Sequence, residues 1–151
     1  MEFQSLFVYT RELLKALPSI KWVDLDKGQL ERYTIRPQVA FPCALISANI
    51  TRAKNRNHTQ QECEATIVVR LAFDYTGETS AAVDDDLLEE SLAYFRVSDE
   101  VYKGMQGKTN GNAAPFVRVS EIEEASRADG LKVLRLTFTT AFFDNSAKPQ
   151  A

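Results

Sequence analysis

The stretch from Cys63 to Tyr75 constrains this chain more than any other. Cys63, Ala65, Ile67, Val69, Leu71, Phe73 and Tyr75 occupy alternate positions, with Glu64, Thr66, Arg70 and Asp74 between them. Period-two alternation puts one set of side chains in a core and the other toward water, so this segment is a strand. At about 3.3 Å per residue it runs roughly 40 Å, and it needs pairing partners along that length. One is close by in sequence. Phe41-Pro42-Cys43-Ala44-Leu45-Ile46 is nearly all apolar and reads as a buried strand with Pro42 as its first residue. Between the two strands, Thr51 to Gln61 is polar and carries Arg52, Lys54, Arg56 and His58. The simplest geometry is a long β-hairpin over 41–75 with a basic loop at its tip.

The flanking segments change period. Phe3, Leu6, Phe7, Leu13, Leu14 and Leu17 recur at helical spacing, while Gln4, Arg11, Glu12 and Lys15 stay wet, predicting a helix over 1–17. Pro18-Ser19 ends it, and Ile20 to Leu25 alternates as a short strand before the Asp26-Lys27-Gly28 turn. Gln29 to Ala40 is irregular. Thr76-Gly77-Glu78-Thr79-Ser80 supplies a turn and N-cap candidates for a helical region over 80–106. Its stripe is Val83, Leu87, Leu88, Leu92 and Phe95; Ser98 caps a continuation carrying Val101, Tyr102 and Met105, and Gly107 closes it. Phe116 to Ala125 and Leu131 to Phe143 alternate around the turn Arg127-Ala128-Asp129-Gly130, predicting a second hairpin over 115–144. There Leu134, Leu136, Phe138 and Phe142 face the core, and Val133, Arg135, Thr137 and Thr139 face outward or toward a partner. The tail, 145–151, is expected to be mobile. The fold class is α+β: one domain over 1–151, a largely antiparallel or mixed β-sheet, and two main helices on one face.

With 151 residues, 44% of them hydrophobic, the chain can bury one core without disulfides or metal. Its 18 basic and 21 acidic residues leave a net charge of −3, against the clustered basic excess of a general nucleic-acid coat. No apolar run approaches the ~20 residues of a membrane span and no leader pattern opens the chain, so a cytoplasmic protein without a membrane partner is expected. Cys43 and Cys63 lie in apolar strands and are expected to be free core thiols.

Reactive groups are few. His58, the one histidine, sits in the most polar stretch and reads as a solvated loop residue. Asp84-Asp85-Asp86 are consecutive, so on a helix they point in different directions and suit the N-terminal dipole better than magnesium. Gly104, Gly107, Gly111 and Gly130 match no phosphate-binding spacing. No catalytic, metal or cofactor site is expected, and the chain reads as a non-enzyme. Charge offers interface candidates instead. Arg52, Lys54 and Arg56 make a basic hairpin tip, and Glu121, Glu123 and Glu124 an acidic stripe on the later hairpin. Opposite charges on two projections fit a head-to-tail ring of copies; a solvated loop and an aggregation-resistant edge are the bland alternatives.

Several segments form a pattern together: the opening helix, Leu17-Pro18-Ser19-Ile20-Lys21-Trp22-Val23-Asp24-Leu25-Asp26-Lys27-Gly28-Gln29-Leu30, and Phe41 to Ile46. Ala93-Tyr94-Phe95, Val101-Tyr102-Lys103-Gly104-Met105-Gln106-Gly107 and the closing strand Arg135 to Asp144 continue it. Together they resemble the phage tail terminator (tail completion) proteins. The likeness lies in element order and local sequence over most of the chain. It implies a virion structural protein, a homo-oligomeric ring, expected to be a hexamer, in the virion tail or neck and assembled in the host cytoplasm. Such a ring caps the tail tube protein, stops its polymerisation and joins the tail to the head-tail connector protein. DNA passes through without sequence-specific binding. A neck or head-completion connector subunit, or a monomeric module binding through the basic hairpin, remains the alternative.

Overall fold

In a computed structural model, residues 2–74 and 80–149 are described; the side chains of Leu87 and Glu90 are not. Tyr75 and the predicted turn and cap residues Thr76, Gly77, Glu78 and Thr79 lie outside the described residues, as does the predicted stripe position of Leu87's side chain.

The elements in chain order are α1 (Glu2–Lys15), β1 (Trp22–Leu25), β2 (Cys43–Asn55), β3 (Gln61–Phe73), α2 (Asp85–Ser91), α3 (Ala93–Met105), β4 (Val117–Glu123) and β5 (Lys132–Asp144). They form an α+β fold. The sheet has five strands in the order β1-β2-β3-β5-β4. It is mixed, because β1 runs parallel to β2 and every other pairing is antiparallel. The alternating segment that leads the sequence reading becomes β3, the central strand, paired along its whole length with β2 and β5.

One face of the sheet carries the main core. Cys63, Ala65, Ile67, Val69, Leu71 and Phe73 of β3 pack there with Leu134, Leu136, Phe138 and Phe142 of β5. Leu6 and Leu14 of α1 and Val97, Val101 and Met105 of α3 cover them. Thr10 sits buried in α1 because its hydroxyl donates back to the Leu6 carbonyl at 2.7 Å, which satisfies its polar atom within the helix. The fit at Gly104 is close: a Cβ there would come within 3.3 Å of Leu17.

The opposite face holds a second, smaller core that alternation did not foresee. Cys43 and Leu45 of β2, Ala72 of β3 and Val133 of β5 pack under Leu30, with Val39, Phe41 and Leu131 at the margin. Segment 26–42 has no regular structure, yet it folds across the sheet as a strap. Val133, expected to face outward, is therefore buried, because the strap supplies the apolar cover. Arg70, expected on the wet face, is only 7% exposed for the same reason.

Three other expectations change. The helical region breaks at Leu92, not at Ser98; Ser98 lies inside α3, where its hydroxyl bonds the Phe95 carbonyl at 3.0 Å. Phe95, assigned to the apolar stripe, is 55% exposed, because the break rotates it off the packed face and leaves Val97 and Val101 there. The basic residues are not all on a loop. Strand β2 continues through Asn55, so Arg52 and Lys54 belong to the ladder, opposite Glu64 and Glu62. Opposite charges across strands favour that pairing and shorten the tip to 56–60. Gly107 follows the last residue of α3 by two positions with φ of 76°, a conformation glycine adopts without strain. The tail residues 145–149 are exposed, Asn145 accepts a 2.8 Å hydrogen bond from Gln60, and Gln150 and Ala151 lie outside the described residues.

Candidate assembly surfaces

The sheet divides into two ends. At the upper end, where β1 joins and the strap lies, β2 and β3 are buried on both faces. The lower end, where the β2–β3 hairpin projects, is buried only on the helix side.

Charge on the upper end is organised around Arg70. Its guanidinium bonds three carboxylates: Glu124 at 2.7 Å through Nε, Asp26 at 3.2 Å and Glu31 at 2.6 Å. Two of these partners come from the strap and the third from the residue just after β4. The bond to Glu124 contributes most to holding Arg70 in its charged form, against the opposing cost of burial. A second arginine completes the clasp. Arg127 pairs with Asp129 at 3.0 Å and also bonds the Leu30 carbonyl, while Tyr33 donates to Asp129. Asp129 is held well below the usual carboxylate range, first by its bond to Arg127 and then by those from Tyr33 and the Leu131 amide. An open hollow of about 510 Å³ beside this clasp is lined by Leu30, Glu31, Tyr33, Arg127, Ala128 and Asp129, all from the strap and the β4–β5 turn. Its charged groups are already engaged with one another.

The two charged candidate groups are arranged differently from each other. On the basic side, Arg56 reaches Glu62 at 3.7 Å and lies over the Phe143 ring at 5.5 Å. Among the described residues, Arg52 and Lys54 form no ion pair, although Glu64 and Glu62 stand opposite them in the ladder. On the acidic side, all three carboxylates are engaged within the chain. Glu121 approaches Arg118 at 3.7 Å, Glu123 bonds Lys132 at 2.8 Å, and Glu124 serves Arg70.

The register also separates the groups by face. Arg52 and Lys54 align with Glu64 and Glu62, on the face away from the helices. Glu121 and Glu123 align with Leu136 and Leu134, on the helix face. Glu124 alone of the acidic three shares the open face.

The remaining candidates are dispersed. His58 is exposed in the hairpin turn. Asp85 and Asp86 occupy the first turn of α2. Cys43 and Cys63 are free and lie in separate cores, opposite Ala72 and Ala53, rather than beside each other. Burial pushes the Cys43 thiol up to about 11, so it stays protonated and inert at neutral pH. No group of three His, Cys, Asp or Glu side chains among the described residues is placed to hold a metal.

Two features escaped the sequence reading. The three-carboxylate clasp was signalled only by an arginine between Val69 and Leu71 in an otherwise apolar stretch. The other is β4, which lies at the sheet edge with Val117, Val119 and Ile122 exposed, the last two at 57% and 62%.

No protein-family model matches the chain, and no curated protein is similar to it in sequence. Among solved structures, it is similar to a chain in the virion of a native gene transfer agent particle. The TM-score is 0.53 at 11% identity, and the match covers 91% of this chain and 94% of that one. This is a likeness of fold, and it extends over nearly the whole of both chains.

Proposed function

We propose that this chain is a non-enzymatic virion structural protein, a tail terminator that works as a homo-oligomeric ring. The observation that carries the reading is the likeness, nearly end to end, to a chain of a phage-like virion particle. The resemblance of Leu17 to Leu30, Phe41 to Ile46 and the closing strand to tail terminators supports the narrower role. The exposed apolar edge of β4 and the unpaired Arg52 and Lys54 are surfaces of the kind an assembling subunit needs. In this reading the ring, six copies by the resemblance, sits in the virion tail or neck. It caps the tail tube protein and meets the head-tail connector protein, and DNA passes through its centre without sequence-specific contacts.

The test is a tube-length assay. Tail tube protein is polymerised with and without this protein, and the tubes are measured by negative-stain microscopy. Tubes shortened in proportion to added protein, with density at one end, are the expected result. Unchanged lengths and bare ends overturn the terminator role.

A further inference from the structure

Neither edge of the sheet is free along its full length, and the two free stretches are at opposite ends. On one side, β1 pairs with β2 only over Cys43 to Ile46, and the contact ends where the Asp26 amide bonds the Ile46 carbonyl. Among the described residues, no strand pairs with the outer side of β2 from Ser47 to Asn55. The edge of β1 itself is short, and the Asp24 carboxylate occupies its Leu25 amide at 2.7 Å, a device that blunts strand addition. On the other side, the lower part of β4 is capped by the segment after α3: Gln106 Oε1 accepts from the Arg118 amide at 2.8 Å, and the Lys108 carbonyl from the Phe116 amide at 2.9 Å. Beyond the bulge between Arg118 and Ser120, no strand among the described residues pairs with the outer edge through Glu123.

Backbone alternation identifies the groups that face outward. The Arg56 amide turns inward to Gln60, so Ala53 and Asn55 present theirs outward. The Glu124 amide turns inward to Val133, so Glu121 and Glu123 present theirs outward. The two stretches run in opposite directions, since β2, β3, β5 and β4 alternate in sense. One is basic and the other acidic, and both carry exposed apolar side chains: Ile50 on β2, Val119 and Ile122 on β4.

We infer that copies of this chain join by strand addition, the upper edge of β4 in one copy pairing antiparallel with the lower edge of β2 in the next, with Glu121 opposite Ala53. The occupant of each edge is thus a second copy, chosen by charge, strand sense and matching exposed backbone. This interface rests on the ring reading and gives it a location. Arg52 then lies beside Ile122 and Lys54 beside Ser120 on the open face, so complementary charge acts between the edges rather than in fixed pairs. Through the ladder, Glu121 is level with Val69 and Ala53 with Cys63, so adjacent copies slide by six residues of β3. That slide, roughly 20 Å over four strand widths of about 4.8 Å, corresponds to a strand tilt near 45°, the upper end of the range for closed sheets. A contact between different surfaces of identical subunits closes into a ring when its rotation permits.

The test uses Ala53→Pro and Glu121→Pro in the full chain. Each removes one outward amide and no bond of the existing sheet, and thermal melting checks the fold. Light scattering is expected to show rings for the unaltered protein and monomers for each variant. An equimolar mixture is expected to give dimers and nothing larger, because one variant retains only its β4 edge and the other only its β2 edge. A Cys63→Ala protein carrying Ala53→Cys and Glu121→Cys, with the native thiol opposite Ala53 removed, provides a second measurement that does not depend on the prolines: oxidation is expected to give a ladder of cross-linked oligomers absent when either new cysteine stands alone. Rings that survive both prolines, or rings of the double-cysteine protein that yield no ladder, overturn this interface and leave the ring reading intact. An unaltered protein that is monomeric at every concentration and at tube ends overturns both.

Discussion

The upper and lower ends of the one sheet have been put to different uses. Above, helices cover one face and the strap the other, and Arg70 joins strap, β3 and the end of β4 through three carboxylates. Below, the β2–β3 hairpin extends with its helix-side positions filled at Cys63 and Phe142, while Arg52, Lys54 and Glu64 stay exposed. Charge is consumed internally above and left over below. In the proposed ring such a division lets one end supply stability while the other keeps its edge for the next copy.

The division breaks most visibly at Arg70. Arg70→Ala leaves Asp26 and Glu124 without their cation and Glu31 with Arg127 alone, at 3.7 Å, and removing one member of a buried ion network costs about 3–5 kcal/mol. Chemical denaturation is expected to show that loss, whereas Arg52→Ala below stays within about 0.5 kcal/mol, as exposed substitutions do. Equal effects at both positions would erase the comparison.

Leu30 tests the strap by packing alone. It is fully buried over Cys43, Leu45 and Val133, so Leu30→Ala is expected to cost about 2–5 kcal/mol in the same measurement. Hydrogen exchange should speed up most across 26–42 and in the β2 and β3 residues beneath it, Cys43, Leu45 and Ala72.

Acid provides a graded version. Asp129 is depressed by its bond to Arg127, so its contribution is fully present above the ordinary carboxylate value of 3.8 and is lost as pH falls through its lower folded value. Exchange followed below pH 4 is expected to open the strap end before the hairpin. Asp129→Asn should weaken that pH dependence while leaving the neutral-pH structure in place.

The smallest effect on stability belongs to the edge. Ile122→Thr removes an exposed apolar side chain and is expected to change folding stability by less than about 0.5 kcal/mol. Assembly measured by light scattering should weaken all the same, which would separate folding from association at one residue.

Much of the fold was legible because periodicity reports burial. The alternation from Cys63 to Phe73 located the central strand, and Leu134, Leu136, Phe138 and Phe142 located its neighbour's core face. What the sequence could not show was adjacency. Whether Val133 and Arg70 meet water depends on where an irregular segment 26–42 comes to rest, and no local pattern encodes that. The basic and acidic groups were visible as charge, yet their assignment to opposite faces follows from a register and a bulge that emerge only when strands pair. Phe95 looked like part of an apolar stripe because the helix break at Leu92 carries neither proline nor glycine to announce it.

The central claim, that this chain assembles with copies of itself into a closed ring, is tested most directly by its solution mass. Light scattering across concentration at low and moderate salt, with negative-stain images of the same samples and of samples mixed with tail tube protein, reads it without assumptions about the interface. The account predicts one discrete mass, a small integer multiple of the 17.0 kDa chain, with annular particles. A monomer under every condition, tube ends included, would contradict it.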